Sequence, residues 1–563
     1  MFERFKRKNL YLLLSIPFLF VSCSNEDSPL QPVVDGDDAV YEAPSYADDY
    51  SGISSWENRS MWNLANVHDP SVSYDDGYYY MYTTDASYGN AHESSTGHYL
   101  TRRSKDLVNW EFMGMSISGV PSWIGDSLNN IRGHYGLDAI PERELVYGFW
   151  APAVNEYNGK YRMYYSVVID NYIGNGKANL VENFDNTWTE RSFIGLRESS
   201  SLAMNLWSDR GMVVTAVSDK GYQKLDGAVN SSNQPWYRKS ISSWIDAYSK
   251  YNAIDPAYFI TDDNHHWLIY GSWHSGIVAL ELNPETGLPL VPFDMEDEST
   301  WGKRIYTRTQ GSYAEGWNRW QGSEGAEVIY HEETGYYYLF LAYDGLSVDY
   351  NTRVVRSRQI DGPYEDFFGY DVTNGTKTSS QGSFPILTHP YQFNNHSGWV
   401  GFSHCCVFQH RSTGDWFYSS QARLPENTNG NLYSNAIMMG HVNKVRFTSS
   451  GWPVVMPERY AAVPEEAIEQ ADLEGSWEVI VLNYEAGVQQ KSVGMILNAD
   501  GSATGALSGS WSYDEAKGVL TVGSIELCVE RGLDWEASPR VETMIFAGLN
   551  ANGVSVWGKR VAN

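Results

Sequence analysis

The chain has 563 residues, of which 69 are Asp or Glu and 40 are Lys or Arg, so its formal net charge is −29. Nucleic acid and anionic membrane surfaces are therefore excluded as partners, because phosphate binding needs clustered Lys and Arg. A hydrophobic content of 42% allows a large core and more than one domain, and the aromatic content of 14% supplies rings that fill β-cores or stack on sugars.

The first 22 residues are typical of a signal peptide. Four basic residues precede an apolar run from Leu10 to Val21, which is too short for a comfortable transmembrane helix. The run ends in Phe-Val-Ser-Cys, which resembles the lipobox of bacterial lipoproteins and predicts lipidation of Cys23. Residues 23–55 are polar and acidic, which predicts a flexible tether. We expect an exported outer-membrane or cell-surface lipoprotein of a bacterium; a periplasmic or secreted protein is the alternative.

One pattern recurs five times within residues 56–462. Each copy has two apolar or aromatic runs around a turn rich in Asp, Asn and Gly, which predicts a β-hairpin. The copies begin at His68, Trp150, Ile254, Glu324 and His404, about 70 to 105 residues apart. This period fits four-stranded blades with long loops, so the sequence predicts an all-β fold with a five-bladed β-propeller. The blade starts would then meet at one place on the axis.

Three carboxylates stand at these blade starts, namely Asp69, Asp255 and Glu324. Glycoside hydrolysis with inversion needs one carboxylate to activate water and one carboxylic acid to protonate the leaving oxygen, about 6.5–9.5 Å apart. A third carboxylate near the acid raises its pKa by like-charge repulsion. The sequence therefore predicts a hydrolytic site at the centre of the ring.

The chain ends in a different pattern. Residues 463–472 are predicted to be a linker, and residues 473–563 alternate apolar and polar positions between tight turns, as in a small antiparallel barrel or sandwich. This segment lacks an evident cluster of titratable residues, so we expect it to be non-catalytic. Beyond Cys23 the cysteines are Cys405, Cys406 and Cys528, an odd number that predicts buried thiols and no disulfide framework.

Several motifs together resemble glycoside hydrolase family 43, and within it the extracellular endo-α-1,5-L-arabinanase type with a small C-terminal β domain. They are His68-Asp-Pro70, Trp150-Ala-Pro152, Ile254-Asp-Pro256, Gly271-Ser-Trp-His-Ser-Gly276, Glu324-Gly-Ala326 and His404. The resemblance implies Asp69 as general base, Asp255 as pKa modulator and Glu324 as general acid. Ala326 stands where the family more often has Pro, and Glu327 remains a rival for the acid.

The same resemblance implies further site residues. His68, Trp273 and Ser275 would contact substrate. By its position on the rim of the expected funnel, Trp150 could stack on sugar or equally be part of the core. Arg353 follows the fourth hairpin and is a further candidate for substrate binding, with a bond to a catalytic carboxylate or a surface salt bridge as alternatives. His404 would lie near one Ca²⁺ ion that is structural or supports catalysis, although calcium prefers oxygen ligands. No organic cofactor is expected.

The resemblance implies hydrolysis of α-1,5-L-arabinan with inversion, by endo action. We expect a monomer that reaches the membrane only through its lipid anchor. The partner would be arabinan or an arabino-oligosaccharide. Two alternatives stay open: an exo-acting arabinofuranosidase or β-xylosidase on the same fold, and a non-catalytic surface glycan-binding lipoprotein.

Overall fold

The computed structural model describes residues 41–84, 97–134, 139–145, 147–170, 190–216, 251–273, 276–295, 297–308, 323–345, 348–373, 382–394, 396–426 and 438–561. Ala43–Asn563 form one compact unit. Within the described ranges, no helix has the length and apolar character needed to cross a membrane. The Ser275 and Cys23 predictions lie outside these ranges, as does the signal peptide.

Five antiparallel sheets form the blades of a propeller. Blade 1 contains β1 Ser71–Asp75, β2 Tyr78–Thr83, β3 His98–Ser104 and β4 Glu111–Ile117, and helix α1 (Trp123–His134) follows it. Blade 2 contains β5 Tyr147–Tyr157, β6 Lys160–Asp170, β7 Glu190–Ser199 and β8 Ser208–Thr215. Blade 3 contains β9 Ala257–Ile260, β10 His266–Tyr270, β11 Ile277–Leu282 and β12 Lys303–Tyr306.

Blade 4 shows three strands in the described part of the chain, β13 Glu324–His331, β14 Tyr336–Tyr343 and β15 Asn351–Ser357. After the two-residue strand β16 (Tyr391–Gln392), blade 5 contains β17 Val400–Gln409, β18 Trp416–Arg423, β19 Met439–Phe447 and β20 Pro453–Val455. The first strand of each blade contacts the first strands of both neighbouring blades, which closes the ring. The predicted five-bladed propeller is confirmed.

Local sequence explains these hairpins and their packing. Asp76-Gly77 and Asn158-Gly159 each have positive φ at both positions, which is the backbone of the two-residue turns that match strand twist. Separate apolar clusters fill the spaces between successive blades, one of them joining Tyr82 and Tyr99 of blade 1 to Tyr165 of blade 2. The aromatic residues of the repeats therefore mainly pack against each other between neighbouring blades.

The C-terminal segment forms a closed barrel, as predicted. Its strands, in order around the barrel, are β21 Gly475–Val481, β23 Val493–Leu497, β24 Ser502–Gly505, β25 Gly509–Asp514, β26 Val519–Val522, β27 Ile525–Asp534, β28 Val541–Leu549 and β29 Ser555–Arg560. Strand β22 (Gln490–Lys491) instead pairs in parallel with β16 of the propeller. Trp477, Trp511 and Phe546 help to fill the interior with apolar side chains.

Barrel and propeller share an interface that sequence reasoning misjudged. Lys559 of β29 is buried and pairs with Glu458 at 3.2 Å, with Asp534 at 2.7 Å and with Glu536. The expectation that the barrel lacks a titratable cluster is therefore wrong, because Asp534 and Glu536 meet Lys559 and the propeller-side Glu458 only in the folded chain. Burial and the negative charge of Glu536 raise the pKa of Glu458 well above its ordinary value, so this carboxyl group is neutral. Against the effect of burial, Lys559 lowers the pKa of Glu536, so the lysine mainly compensates the charge of Glu536.

Part of the predicted tether is also structured. Tyr50 is buried, and Asp48 forms ion pairs with Arg459 and with Arg540, the latter at 3.3 Å. The tether prediction is therefore wrong for residues 43–55, whose aromatic and acidic side chains find partners on the propeller and the barrel. Cys405, Cys406 and Cys528 are free and buried, as predicted.

Candidate active site

One backbone feature repeats at the start of every blade. Asp69, Ala151, Asp255, Gly325 and His404 have φ values of 46°, 38°, 55°, 58° and 57°. Left-handed φ is uncommon for residues other than Gly and is concentrated at functional sites. In blades 2, 4 and 5 the pairing register also shifts at this point.

The predicted acid does not stand at this left-handed position. Glu324, like Trp150 in blade 2, stands one residue before the left-handed position of its blade. The acid predicted in blade 4 therefore reaches the axis from a different backbone position than the carboxylates of blades 1 and 3.

Hydrogen bonds between neighbouring blades fix three of these positions. The Ala151 amide donates to Thr84 Oγ1 at 2.6 Å, and the Asp255 amide donates to Ser166 Oγ at 3.0 Å. The Asp69 amide donates to Gln421 Oε1 at 2.6 Å, which links blade 5 back to blade 1. Sequence reasoning missed these supporting residues; the available signal was a Thr, Ser or Gln near the end of each second strand.

Asp69 is held as an ionised carboxylate. Its Oδ2 accepts a hydrogen bond from Thr84 Oγ1 at 2.6 Å, and its Oδ1 lies 2.9 Å from His404 Nδ1. Burial would raise the pKa of Asp69, but the charge and hydrogen bond of His404 outweigh it and hold this pKa well below the ordinary value. In return, although burial opposes it, Asp69 raises the pKa of His404 to about 10. A carboxylate in this state can accept a proton from water.

Glu324, in contrast to Asp69, is held so that its protonated form is favoured. Its Oε1 accepts a hydrogen bond from the Tyr350 hydroxyl at 2.6 Å, and its Oε2 accepts one from Trp273 Nε1 at 2.5 Å. Burial, together with the negative charge of Asp255, raises the pKa of Glu324 to about 7. A substantial fraction of Glu324 is therefore protonated at neutral pH, as a general acid requires.

Asp255 is placed to influence Glu324. Its Oδ2 accepts the amide hydrogen of Gly325, the residue after Glu324, at 3.2 Å. The residue is 5% exposed, and burial raises the pKa of its carboxyl group. Two buried carboxylates this close cannot both ionise freely, so each favours protonation of the other.

The acid and the base lie in one site. The Tyr350 hydroxyl donates a hydrogen bond to Glu324 and lies 3.3 Å from His404 Nδ1. The same His404 nitrogen forms an ion pair with Asp69. These contacts of 2.6, 3.3 and 2.9 Å leave Glu324 Oε1 and Asp69 Oδ1 at most about 9 Å apart. That limit accommodates the separation of about 6.5–9.5 Å that leaves room for a water molecule in inverting glycosidases.

Substrate contact by His68, Trp150 and Trp273 stays a prediction, and the structure shows the surroundings of these side chains. Trp273 is half-buried, and its indole N–H donates a hydrogen bond to Glu324. Trp150 is half-buried and precedes Ala151, whose amide donates a hydrogen bond to Thr84. His68 is buried, and its carbonyl accepts the Thr84 amide at 3.0 Å.

Arg353 is fully buried. It donates to Ser383 O at 2.9 Å and stacks over Tyr343, with its guanidinium carbon 5.0 Å from the ring centre. The prediction that Arg353 contacts sugar is therefore wrong, because the side chain has no accessible surface.

Glu327 lies further along β13, away from the acid–base pair. It lines a separate cavity of about 550 Å³ whose walls come from the first strands of all five blades. Burial raises the pKa of Glu327 to about 8, and its hydrogen-bond partners are Val407 and Cys406. Since Glu324 and not Glu327 is linked to Asp69 and Asp255, the geometry favours Glu324 as the acid.

The calcium ion predicted beside His404 stays a prediction. Among the described residues, no group of three or more His, Cys, Asp or Glu side chains is placed to hold a metal ion. Nδ1 of His404 is engaged by Asp69, which against the effect of burial raises the pKa of His404 to about 10. The other ring nitrogen could bind a metal ion only in the neutral imidazole. These side chains alone do not form the oxygen-rich cage that calcium prefers.

Comparison with known proteins identifies what the chain is similar to. Residues 63–453 match Glycosyl hydrolases family 43, and residues 457–558 match a C-terminal lipocalin-like domain. The chain is 28% identical over 530 residues to an extracellular endo-alpha-(1->5)-L-arabinanase of Thermotoga petrophila, covering 90% of this chain and 96% of that protein. It is 24% identical over 532 residues to extracellular endo-alpha-(1->5)-L-arabinanase 2 of Bacillus subtilis, covering 90% and 95%. The crystal structure of endo-1,5-alpha-L-arabinanase from Thermotoga petrophila matches with a TM-score of 0.64 at 25% identity, over 89% of this chain and 99% of that one.

Proposed function

The chain belongs to glycosyl hydrolases family 43, and we propose that it is an endo-acting hydrolase of α-1,5-linked L-arabinan that inverts the anomeric centre. The observation that carries the proposal is the pairing of an ionised Asp69 with a Glu324 that keeps a substantial protonated fraction at neutral pH, joined through His404 and Tyr350. The choice of arabinan rests on the two relatives, which are named endo-arabinanases and align over both the propeller and the barrel.

In the proposed reaction, Asp69 accepts a proton from water as the water oxygen bonds to the anomeric carbon. The bond to the leaving oxygen breaks, its electron pair stays with that oxygen, and Glu324 supplies the proton. Burial, together with the negative charge of Asp255, keeps Glu324 partly protonated up to neutral pH. His404 holds Asp69 in its ionised state, so acid and base start in complementary protonation states.

Reducing-sugar release from linear arabinan, arabinoxylan and xylan tests the substrate. We expect release from arabinan alone, with mixed oligosaccharides early in the time course. Arabinose as the sole early product would indicate exo action. Binding of arabinan without new reducing ends would indicate a glycan-binding protein. Proton NMR of the first product distinguishes an inverted from a retained anomer.

We also propose that the protein is exported and anchored through a lipid on Cys23. The basic and apolar N-terminal run that ends in Cys23 supports this location, as do the extracellular relatives. Labelling of cells with radioactive palmitate should mark the wild-type chain but not Cys23→Ser. Equal labelling of both, or of neither, contradicts the anchor.

A further inference from the structure

The two oxygens of Glu324 have partners of different chemistry. Oε2 accepts from the Trp273 indole at 2.5 Å and lies 3.3 Å from Ser272 Oγ. Oε1 meets the Tyr350 hydroxyl at 2.6 Å. An indole N–H can only donate a hydrogen bond, whereas a phenolic hydroxyl can donate or accept.

This difference determines where the acid proton is held. A proton on Oε2 would compete with the short bond from Trp273, which has no acceptor atom to offer in exchange. A proton on Oε1 keeps that bond and faces a hydroxyl that adapts to either protonation state. The neutral acid therefore keeps its proton on Oε1, the oxygen that Tyr350 contacts.

We propose that Tyr350 is a positioning residue for proton transfer by Glu324, an inference that rests on the proposed function. The hydroxyl of Tyr350 orients Oε1 while this oxygen carries the proton. After the proton has moved to the glycosidic oxygen, the hydroxyl donates to the new carboxylate. The carbon–oxygen bond that breaks leaves its electron pair on the leaving oxygen, and Asp69 takes the proton of the attacking water, so the charges balance.

The surroundings of Tyr350 suit this role. The residue is 1% exposed, so water does not replace its hydrogen bond. Its hydroxyl is also 3.3 Å from His404 Nδ1, the group that orients Asp69. One side chain thus stands between the acid and the base and limits how far Glu324 can turn.

The test compares leaving groups. A linear arabino-oligosaccharide needs protonation of its leaving oxygen, whereas an aryl arabino-oligoside releases 4-nitrophenolate without it. For Tyr350→Phe we expect kcat on the oligosaccharide to fall about 10- to 100-fold, the loss typical of a hydrogen bond to a charged group, with KM within about twofold. On the aryl substrate kcat should fall less than about threefold.

Tyr364→Phe is the matched control, since it also removes one buried hydroxyl of blade 4, bonded to Ile360 O at 3.0 Å. It should leave both rates unchanged. Trp273→Phe removes the hydrogen-bond donor to Oε2, and its kcat should also fall more on the oligosaccharide than on the aryl substrate. This variant replaces Tyr350→Phe in the test if Tyr350→Phe does not fold. Equal losses on both substrates, or no loss, overturn the inference; a wild-type protein that cleaves no arabinan overturns the proposed function instead.

Discussion

Asp255→Asn should move the alkaline limb of the pH–rate profile to lower pH. As the general acid, Glu324 must be protonated, so kcat/KM should be full below its pKa of about 7 and fall about tenfold per pH unit above it. Burial and the charge of Asp255 both raise this pKa. Asn removes the charge, keeps the shape and can still accept the Gly325 amide that bonds Oδ2 at 3.2 Å.

The size of the shift follows from the geometry. Ser272 Oγ lies 3.3 Å from Glu324 Oε2 and is also a side-chain hydrogen-bond partner of Asp255. Two successive hydrogen bonds place the two carboxylates about 6 Å apart. At an effective dielectric constant of about 20, two like charges at that distance repel by about 3 kcal/mol, or about two pKa units. Burial persists in the variant, and Asp255 itself has a raised pKa and is partly neutral, so we expect a shift of about one to two pH units.

The assay is kcat/KM on linear arabinan between pH 4 and 9, with the fold checked by circular dichroism. Asp366→Asn is the matched control, because Asp366 is 2% exposed and accepts backbone hydrogen bonds from Phe368 and Tyr370 at 3.0 and 3.1 Å, away from Glu324. The alkaline limb of the pH–rate profile of this control should lie at the same pH as in the wild type. An unmoved limb in Asp255→Asn, or one that moves to higher pH, would refute the assignment of Asp255 as modulator and Glu324 as acid.

Three further sets of outcomes are expected. Asp69→Ala and Glu324→Ala should each lower kcat on arabinan by about 10²- to 10⁴-fold while the protein stays folded by circular dichroism, whereas Glu327→Gln should stay within about threefold; a rate near wild type in either alanine variant excludes that residue from the chemistry. If a calcium ion supports the site near His404, dialysis against a chelator should lower activity and added Ca²⁺ should restore it, and unchanged activity argues against the ion. Lys559→Met should lower the free energy of unfolding by about 3–5 kcal/mol in chemical denaturation, because it leaves the ionised Glu536 at the interface without its cation, and a loss below about 1 kcal/mol would show that Glu536 is not charged there.

The parts of the fold that depend on repeated local sequence signals could be predicted from the sequence. Turn pairs such as Asp76-Gly77 and Asn158-Gly159 set the hairpins, and five copies of the hairpin indicate a ring. A ring brings equivalent positions together, so Asp69 and Asp255 could be grouped although nearly 190 residues separate them. The family resemblance drawn from these motifs is confirmed by the match over residues 63–453.

The supporting side chains were not predictable in the same way. Tyr350 lies outside the repeated hairpins, and nothing in its sequence neighbourhood links it to Glu324. Arg353 looked accessible because it follows the fourth hairpin, but its guanidinium is enclosed by Tyr343 and the Ser383 carbonyl. Both outcomes depend on loop packing, which leaves no periodic signal in the sequence.

The backbone explains why the acid comes from a displaced position. At the left-handed position, blades 1, 3 and 5 carry Asp69, Asp255 and His404, whereas blade 4 carries Gly325 at φ 58°. A Cβ on Gly325 would lie 2.9 Å from Cγ of His404, closer than real Cβ contacts. The imidazole that holds Asp69 therefore occupies the space that a blade 4 side chain would need. Since that space is taken, the acid is supplied by the preceding residue, Glu324, and the glycine is a requirement of the His404 position.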